Sequence, residues 1–329
     1  MEWLSFLLLI QFTISVTNSK KCDLAEEFTT ESLANGANDV IVVQQSDGSY
    51  KSTPFSVQIG KFATWQTFFK SRQGRLVDIE INGVQAPVKM AILDSGAACF
   101  TRQNNQFDFS SEEFLTFNLR PGRNMGMYRA PSLGVEIPFD VYLYSQTDQF
   151  VVTDVDGTIT SSNTKGHVLP RIGFNADHDS VVELLDKVDK TNRHVIYLTA
   201  RPMAMDTDTR EYLFETLQYS EGQYSLPYGP LFLNPKPTSE ALVEAVTGPQ
   251  VQKILTLRYI ISLFESGPSV VNGAYGNTPN DREAYIVTGI DPGKVFTVNE
   301  AGTLTRASDG AETSYQGQSD IITELYPSV

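Results

Sequence analysis

From Asp39 to about Leu93, apolar and polar residues alternate with a period of two, as expected of strands that turn one face to a core. Val40-Ile-Val-Val leads into an Asp47-Gly48 turn, and Phe55-Ser-Val-Gln-Ile follows. The clearest hairpin is Arg75–Ile81, Asn82-Gly83, then Val84–Leu93, because Asn-Gly accepts the positive φ of a type I′ turn. This half predicts a sandwich-like sheet. Residues 101–134 mix Asn, Arg, Gly, Pro and Ser with little periodicity and read as a connecting segment. After Gln149 short apolar strands alternate with helical stretches, the mark of a parallel sheet covered on both faces. Strands are predicted at Phe150–Thr153, His194–Leu198, Pro230–Leu233, Val270–Ala274 and Lys294–Val298, with helices near 178–190, 206–218, 249–265 and 280–288. From Gly302 the tail returns to polar, β-like sequence and is expected to pair back with the amino-terminal sheet.

Trp3 to Val16 is almost continuously apolar, and Thr17-Asn18-Ser19 precede Lys20-Lys21. A signal-peptide core has this length, yet the segment carries Glu2 instead of a basic start, and the chain has no Asn-x-Ser/Thr acceptor. A membrane-seeking helix is the alternative, with Trp3, Phe6, Leu7, Ile10 and Ile14 at helical spacing over a weak polar face. A buried terminal helix is a third.

The 329 residues correspond to about two domains at roughly 150 residues each. A formal charge of −14 repels polyanions and removes any electrostatic reason to bind nucleic acid. Cys22 and Cys99 are the only cysteines, too few for a disulfide scaffold and without zinc-ligand spacing, although a single bridge between them stays open.

The chemistry centres on Phe150-Val-Val-Thr-Asp154-Val155-Asp156-Gly157-Thr158, an apolar strand running into Asp-x-Asp-Gly-Thr. At the carboxyl end of a parallel strand both carboxylates face the ligand crevice. Asp154 is placed to attack phosphorus and form an aspartyl-phosphate. Its charge repels a phosphate, so a Mg²⁺ ion bridging the two is expected. Asp156 is placed to protonate the departing oxygen and then to activate water. A calcium loop fails on spacing, since Thr158-Ile-Thr-Ser-Ser-Asn163 lacks the alternating ligands and closing Glu. The Thr199 hydroxyl and the backbone of Ala200 and Arg201, at another strand end, are suited to phosphate oxygens, as is Thr158. Lys253 offers a positive charge, and Asn280 with Asp281 the rest of a metal shell. Asp94-Ser95-Gly96 looks like half of an aspartic protease, but no second Asp-Ser/Thr-Gly exists.

In this order these segments resemble the haloacid dehalogenase phosphatases and, more narrowly, the lipin-type phosphatidate phosphatases. The narrower resemblance rests on Asp154-Val-Asp-Gly-Thr-Ile-Thr-Ser-Ser162, Gly166-His-Val-Leu-Pro170, Tyr197-Leu-Thr-Ala-Arg201, Thr209-Arg-Glu-Tyr-Leu213, Pro227-Tyr-Gly-Pro230 and Gly276-Asn-Thr-Pro-Asn-Asp-Arg-Glu-Ala-Tyr285. In the first half, Asn38-Asp-Val-Ile-Val-Val, Ser52–Lys61 and Val77-Asp-Ile-Glu-Ile-Asn-Gly83 are similar to the lipin amino-terminal region. The resemblance implies an α/β plus β architecture. A doubly wound, Rossmann-like catalytic domain (149–300) is joined to an immunoglobulin-like β-sandwich, built from residues 38–100 and the tail (301–329). Residues 101–148 connect the two, and residues 1–19 are a membrane helix or signal peptide.

It also implies Mg²⁺-dependent hydrolysis of phosphatidic acid to diacylglycerol at a membrane surface, with Asp154 as nucleophile and Asp156 as acid and base. Thr199 and Lys253 would bind phosphate, and Asn280 with Asp281 would complete a metal site that begins with Asp154 and Asp156. The implied address is the cytosolic face of the endoplasmic reticulum or nuclear envelope, or the secretory pathway if residues 1–19 are cleaved. The rivals are a catalytically silent phosphatidic-acid-binding module and a phosphatase of a soluble ester. Asn163 stands where the family usually has Asp, and Lys165-Gly-His-Val-Leu169 lacks the co-regulator motif of animal lipins, so no transcriptional role is expected.

Overall fold

The computed structural model describes residues 34–61, 71, 73–101, 109–161, 177–217, 224–236 and 250–327. The first half holds strands β1 (Gly36–Ala37), β2 (Val40–Gln44), β3 (Tyr50–Ser52), β4 (Val57–Gln58), β5 (Leu76–Ile81), β6 (Val84–Gln85), β7 (Met90–Ile92) and β8 (Ala98–Phe100). Helix α1 (Ser111–Thr116) and the long strands β9 (Gly122–Ala130) and β10 (Val135–Ser145) follow. The second half holds β11 (Gln149–Thr153), α2 (Val181–Asp189), β12 (Arg193–Pro202), α3 (Asp206–Glu211) with a π-helical turn over Tyr212–Thr216, and β13 (Leu231–Asn234). It ends with α4 (Gln250–Ser262), β14 (Val271–Gly276), α5 (Pro279–Val287), β15 (Val295–Val298), β16 (Thr303–Arg306), β17 (Glu312–Ser314), α6 (Tyr315–Asp320) and α7 (Ile322–Leu325). No helix among the described residues is long and apolar enough to cross a membrane, and residues 1–19 lie outside them.

The five predicted strands of the second half form a parallel run in the order β13-β12-β11-β14-β15. Alternate residues of β11 and β12 enter two cores. Val151, Val195 and Tyr197 pack with α2, and Phe150, Val152, Ile196 and Leu198 with α4 and α5. Burial of both faces explains their continuous apolar character. The first-half sheet runs β3-β2-β10-β9-β5-β7-β8, with β6 beside β5. Here β2 also feeds two cores: Val40 and Val42 face its own sheet, while Ile41 and Val43 join Tyr142 and Tyr144 against Phe150 and Phe264 of the second half. The Asn82-Gly83 turn has φ of 50° and 79°, as the hairpin required. Its return arm is shorter than expected: β6 ends before Ala86-Pro87, and pairing with β5 resumes at Met90.

Two expectations are corrected. Residues 101–148 are not a connector, because they carry α1 and the two longest strands of the first-half sheet, β9 and β10. Alternation in β9 is hard to see in the sequence because its inward positions are Asn124, Gly126, Tyr128 and Ala130, only one of them large and apolar. Gly126 is small because it lies opposite Phe139, and a Cβ there would sit 2.4 Å from the ring. The tail does not pair with the amino-terminal sheet to build a sandwich. Instead, β16 pairs antiparallel with β15 and β17 with β16, extending the second-half sheet, while α6 packs on α2. The chain turns back through Asn299–Gly302, so the local hairpin forms in place of the distant pairing. Cys99 of β8 is disulfide-bonded, and the sequence's other cysteine, Cys22, lies outside the described residues.

Candidate active site

Strand order reverses at β11, and successive crossovers on either side of such a point open a crevice at the strands' carboxyl ends. Asp154, the first residue beyond β11, is held there by its N–H donating to the Tyr275 carbonyl (2.9 Å). The chain then turns through Gly157 (φ 78°), with the N–H groups of Thr158, Ile159 and Thr160 converging on the Val155 carbonyl. Tyr315 of α6 supports this turn by donating its hydroxyl to the Thr158 carbonyl (2.8 Å).

Lys253 of α4 lies between two carboxylates, with its Nζ 2.7 Å from Asp154 Oδ1 and 2.6 Å from Asp281 Oδ1. All three are buried. The Thr158 hydroxyl donates to Asp154 Oδ2 (3.2 Å). Asp281 is the third residue of α5 and closes its capping box, its Oδ2 accepting from Thr278 N–H (3.0 Å), Thr278 hydroxyl (2.6 Å) and Asn277 N–H (3.3 Å). Burial pushes the Asp154 carboxyl up to about 7 against the pull of Lys253, with Asp281 and Asp156 adding to the rise. Burial also works against the Lys253 charge, but Asp154 and Asp281 outweigh it and keep the amine protonated. Asp281 is likewise opposed by burial and brought below its ordinary range by Lys253 and Thr278.

Across the crevice, Arg201 holds Asp156. Its Nη2 lies 2.6 Å from Oδ1 and its Nε 2.9 Å from Oδ2, while the Thr199 hydroxyl donates to Oδ2 (3.3 Å). Thr199 also accepts from the Arg201 N–H (3.1 Å). Burial disfavours the Arg201 charge, and Asp156 more than restores it. Asp154, Thr158, Lys253 and Asp281 thus form one hydrogen-bonded group and Asp156, Thr199 and Arg201 a second, with the charges of Asp156 and Arg201 felt at Asp154. Ala200 lies between two of them on β12, where it offers only its backbone, and Asn280 lies on the first turn of α5; among the described residues no hydrogen bond joins the Asn280 side chain to these groups. Sequence reasoning assigned no role to Thr209 and Arg210 of α3, yet both take part: Arg201 Nη1 donates to Thr209 (3.2 Å), and Arg210 reaches Asp39 in the amino-terminal half.

The donors suit a hard cation. Three carboxylates face two fixed cations, leaving net negative charge, and the donor atoms are oxygens. Both Asp281 oxygens are already engaged, and no group of three or more acidic, His or Cys side chains converges among the described residues. Magnesium is a hard cation that takes one or two carboxylates and keeps several waters or substrate oxygens.

The paired aspartates thus stand just beyond the carboxyl end of the central strand of a parallel α/β sheet. Residues 105–327 match the family described as LNS2 (Lipin/Ned1/Smp2), and residues 13–117 match the lipin N-terminal conserved region. The chain belongs to the lipin family. It is 29% identical over 276 residues to human phosphatidate phosphatase LPIN3, covering 80% of this chain and 32% of that protein. To human phosphatidate phosphatase LPIN1 it is 33% identical over 192 residues, covering 57% and 21%. To phosphatidic acid phosphohydrolase 1 of Saccharomyces cerevisiae it is 28% identical over 235 residues, covering 67% and 27%. The chain therefore spans about a third or less of these relatives' length.

Proposed function

We propose that this protein is a Mg²⁺-dependent phosphatidate phosphatase with a doubly wound catalytic domain, converting phosphatidic acid to diacylglycerol and phosphate through an aspartyl-phosphate. The observation that carries the proposal is Asp154 itself: a buried carboxylate at the sheet's switch point, oriented by Lys253 and Thr158, with Asp156 held two residues away. The names of the relatives support the substrate.

In the first half-reaction an Asp154 oxygen forms a bond to phosphorus as the ester P–O bond breaks. Asp156 gives its proton to the departing diacylglycerol oxygen. In the second, Asp156 takes a proton from the water that attacks the phosphorus of aspartyl-phosphate, which frees Asp154 and inorganic phosphate. Lys253 and Thr158 keep the nucleophile in one orientation, while Thr199 and Arg201 offer donors to phosphate oxygens. Asp154 and Asp156 would hold Mg²⁺ with Asn280 and Asp281 on the facing turn, and the bound ion would supply charge neutralisation between carboxylate and phosphate. Asp281 does its part largely through Lys253 and Thr278.

The enzyme acts peripherally, on phosphatidic acid in a membrane surface. Its charge of −14 opposes an anionic bilayer, which gives the apolar segment at 3–16 the docking role. With that segment retained the address is the cytosolic face of the endoplasmic reticulum or nuclear envelope; with residues 1–19 cleaved, disulfide-bonded Cys99 fits the secretory pathway. The test is phosphate release from phosphatidic acid in mixed micelles. Wild type is expected to release phosphate with Mg²⁺ and not with chelator, and Asp154→Asn to release none. Release from a soluble ester alone would replace the lipid substrate, and no release from either would leave a binding module.

A further inference from the structure

Two sets of polar contacts, joined through the neighbouring residues Thr209 and Arg210 of α3, tie the candidate active site to the amino-terminal sheet. Asp39 precedes β2 and is fully buried. Its Oδ1 accepts from the Asp140 N–H (2.8 Å) and from Arg210 Nη2 (2.8 Å). Its Oδ2 accepts from the Leu231 N–H (2.8 Å) and from Arg210 Nη1 (3.1 Å). The Arg210 Nε donates to Asp206 Oδ1 (2.6 Å), and Asp206 Oδ2 accepts from the Ala37 N–H (3.1 Å). Helix α3 is therefore fixed at both of these side chains to the strands of the other half.

Thr209, one residue before Arg210, is fully buried, donates to the Met205 carbonyl (2.7 Å) and accepts from Arg201 Nη1 (3.2 Å). That bond fixes one end of the guanidinium whose other edge grips Asp156. Burying a carboxylate and a guanidinium gains little stability over an apolar pair of the same size. What the arrangement does supply is orientation: a planar fork pinned at Nη1 leaves Asp156 one way to face.

We propose that Asp39, Arg210 and Thr209 form a positioning relay, through which the amino-terminal sheet sets the orientation of Arg201 and so of the Asp156 carboxyl. This deepens the phosphatase proposal and rests on it. None of the three is a catalytic residue, and their effect is confined to how well Asp156 meets the leaving oxygen. An alkyl ester needs a proton on that oxygen, whereas an activated aryl ester does not. A misplaced acid is therefore felt by the first substrate and hardly by the second. Loss of folded protein lowers both alike.

The experiment compares kcat/KM, which reports the half-reaction that breaks the ester, for phosphatidic acid, glycerol 3-phosphate and p-nitrophenyl phosphate, using the full chain with Mg²⁺. Thr209→Val keeps the volume and removes the acceptor. It is expected to lower kcat/KM on the alkyl esters the wild type hydrolyses by about 10- to 100-fold, and on the aryl ester by less than about threefold. Thr209→Ser is expected to restore the alkyl rate. Arg210→Lys, which keeps a charge opposite Asp39 and gives up the fork, is expected to repeat the asymmetric loss. Equal losses on both ester types, or no loss in Thr209→Val, would overturn the relay while leaving the phosphatase intact. An unchanged alkyl-to-aryl ratio in folded Arg210→Lys would remove the amino-terminal sheet from it. Wild type active on the aryl ester alone would mean that Asp156 supplies no proton, which overturns the relay. Wild type silent on all three would overturn the phosphatase and the relay together.

Discussion

Lys253 is a compact, strongly hydrated cation stripped of water and set between two carboxylates, where its own desolvation is offset only because both partners lie within 2.7 Å. Its replacement by an uncharged chain of similar length leaves Asp154 and Asp281 buried and facing one another. Lys253→Met is expected to lower the unfolding free energy by about 3–5 kcal/mol and to cost at least ~100-fold in kcat. Denaturant titration and phosphate release check the two effects separately. A mutant of wild-type stability would mean that water or a cation already shields the carboxylates. The neighbouring Gly276 belongs to the same packing, since a Cβ there would lie 2.4 Å from Asp281 Cβ and push that side chain off Lys253.

At the scale of elements, α3 is docked by Asp206, whose carboxyl is lifted to about 6, first by burial and then by Asp39, against Arg210 and the Ala37 N–H. The native state therefore binds this proton more tightly than the unfolded chain does. The stabilisation is complete below the ordinary value of 3.8 and is lost as pH rises through about 6. Asp206→Asn is expected to lack that decline, so its stability relative to wild type rises by ~2 kcal/mol between pH 4 and pH 6. A difference independent of pH would place the native pKa at its ordinary value. Elements whose pattern states their environment were legible from sequence: β11 to β15 were expected from short apolar stretches closed by turn residues, and Asp154, Asp156 and Thr199 from strand ends, whereas Lys253, on a helix, was singled out only by the family resemblance. β9 was illegible because Asn124 and Gly126 stand on its inner face, and the tail because the competition between β15 and a distant sheet depends on chain closure. Asp39 stayed unread for the same reason, its partner Arg210 being 171 residues away.

For the molecule as a whole, the two halves share a core. Ile41 and Val43 of β2 and Tyr142 and Tyr144 of β10 pack with Phe150 and Phe264, with Tyr144 edge-on to Phe150 at 4.9 Å. Neither half has a closed hydrophobic surface alone. A chain that starts at Ser46 loses β1 and β2, strips the apolar cover from β11 and frees Arg210. It is expected to release no phosphate and to melt without a cooperative transition, as calorimetry would register. Sharp melting with retained activity would instead make the halves independent.

The contacts of Asn38 and Asp39 with β13 carry a further consequence. β13 is the outer strand of its sheet. The Leu231 N–H and carbonyl are taken by Asp39, and those of Leu233 by the Asn38 amide. An outer strand with open N–H and carbonyl groups is a template for another chain. The two residues between β1 and β2 are therefore also a guard against self-association. Damage at that one spot would turn a loss of turnover into a gain of polymer, both from a single broken seam.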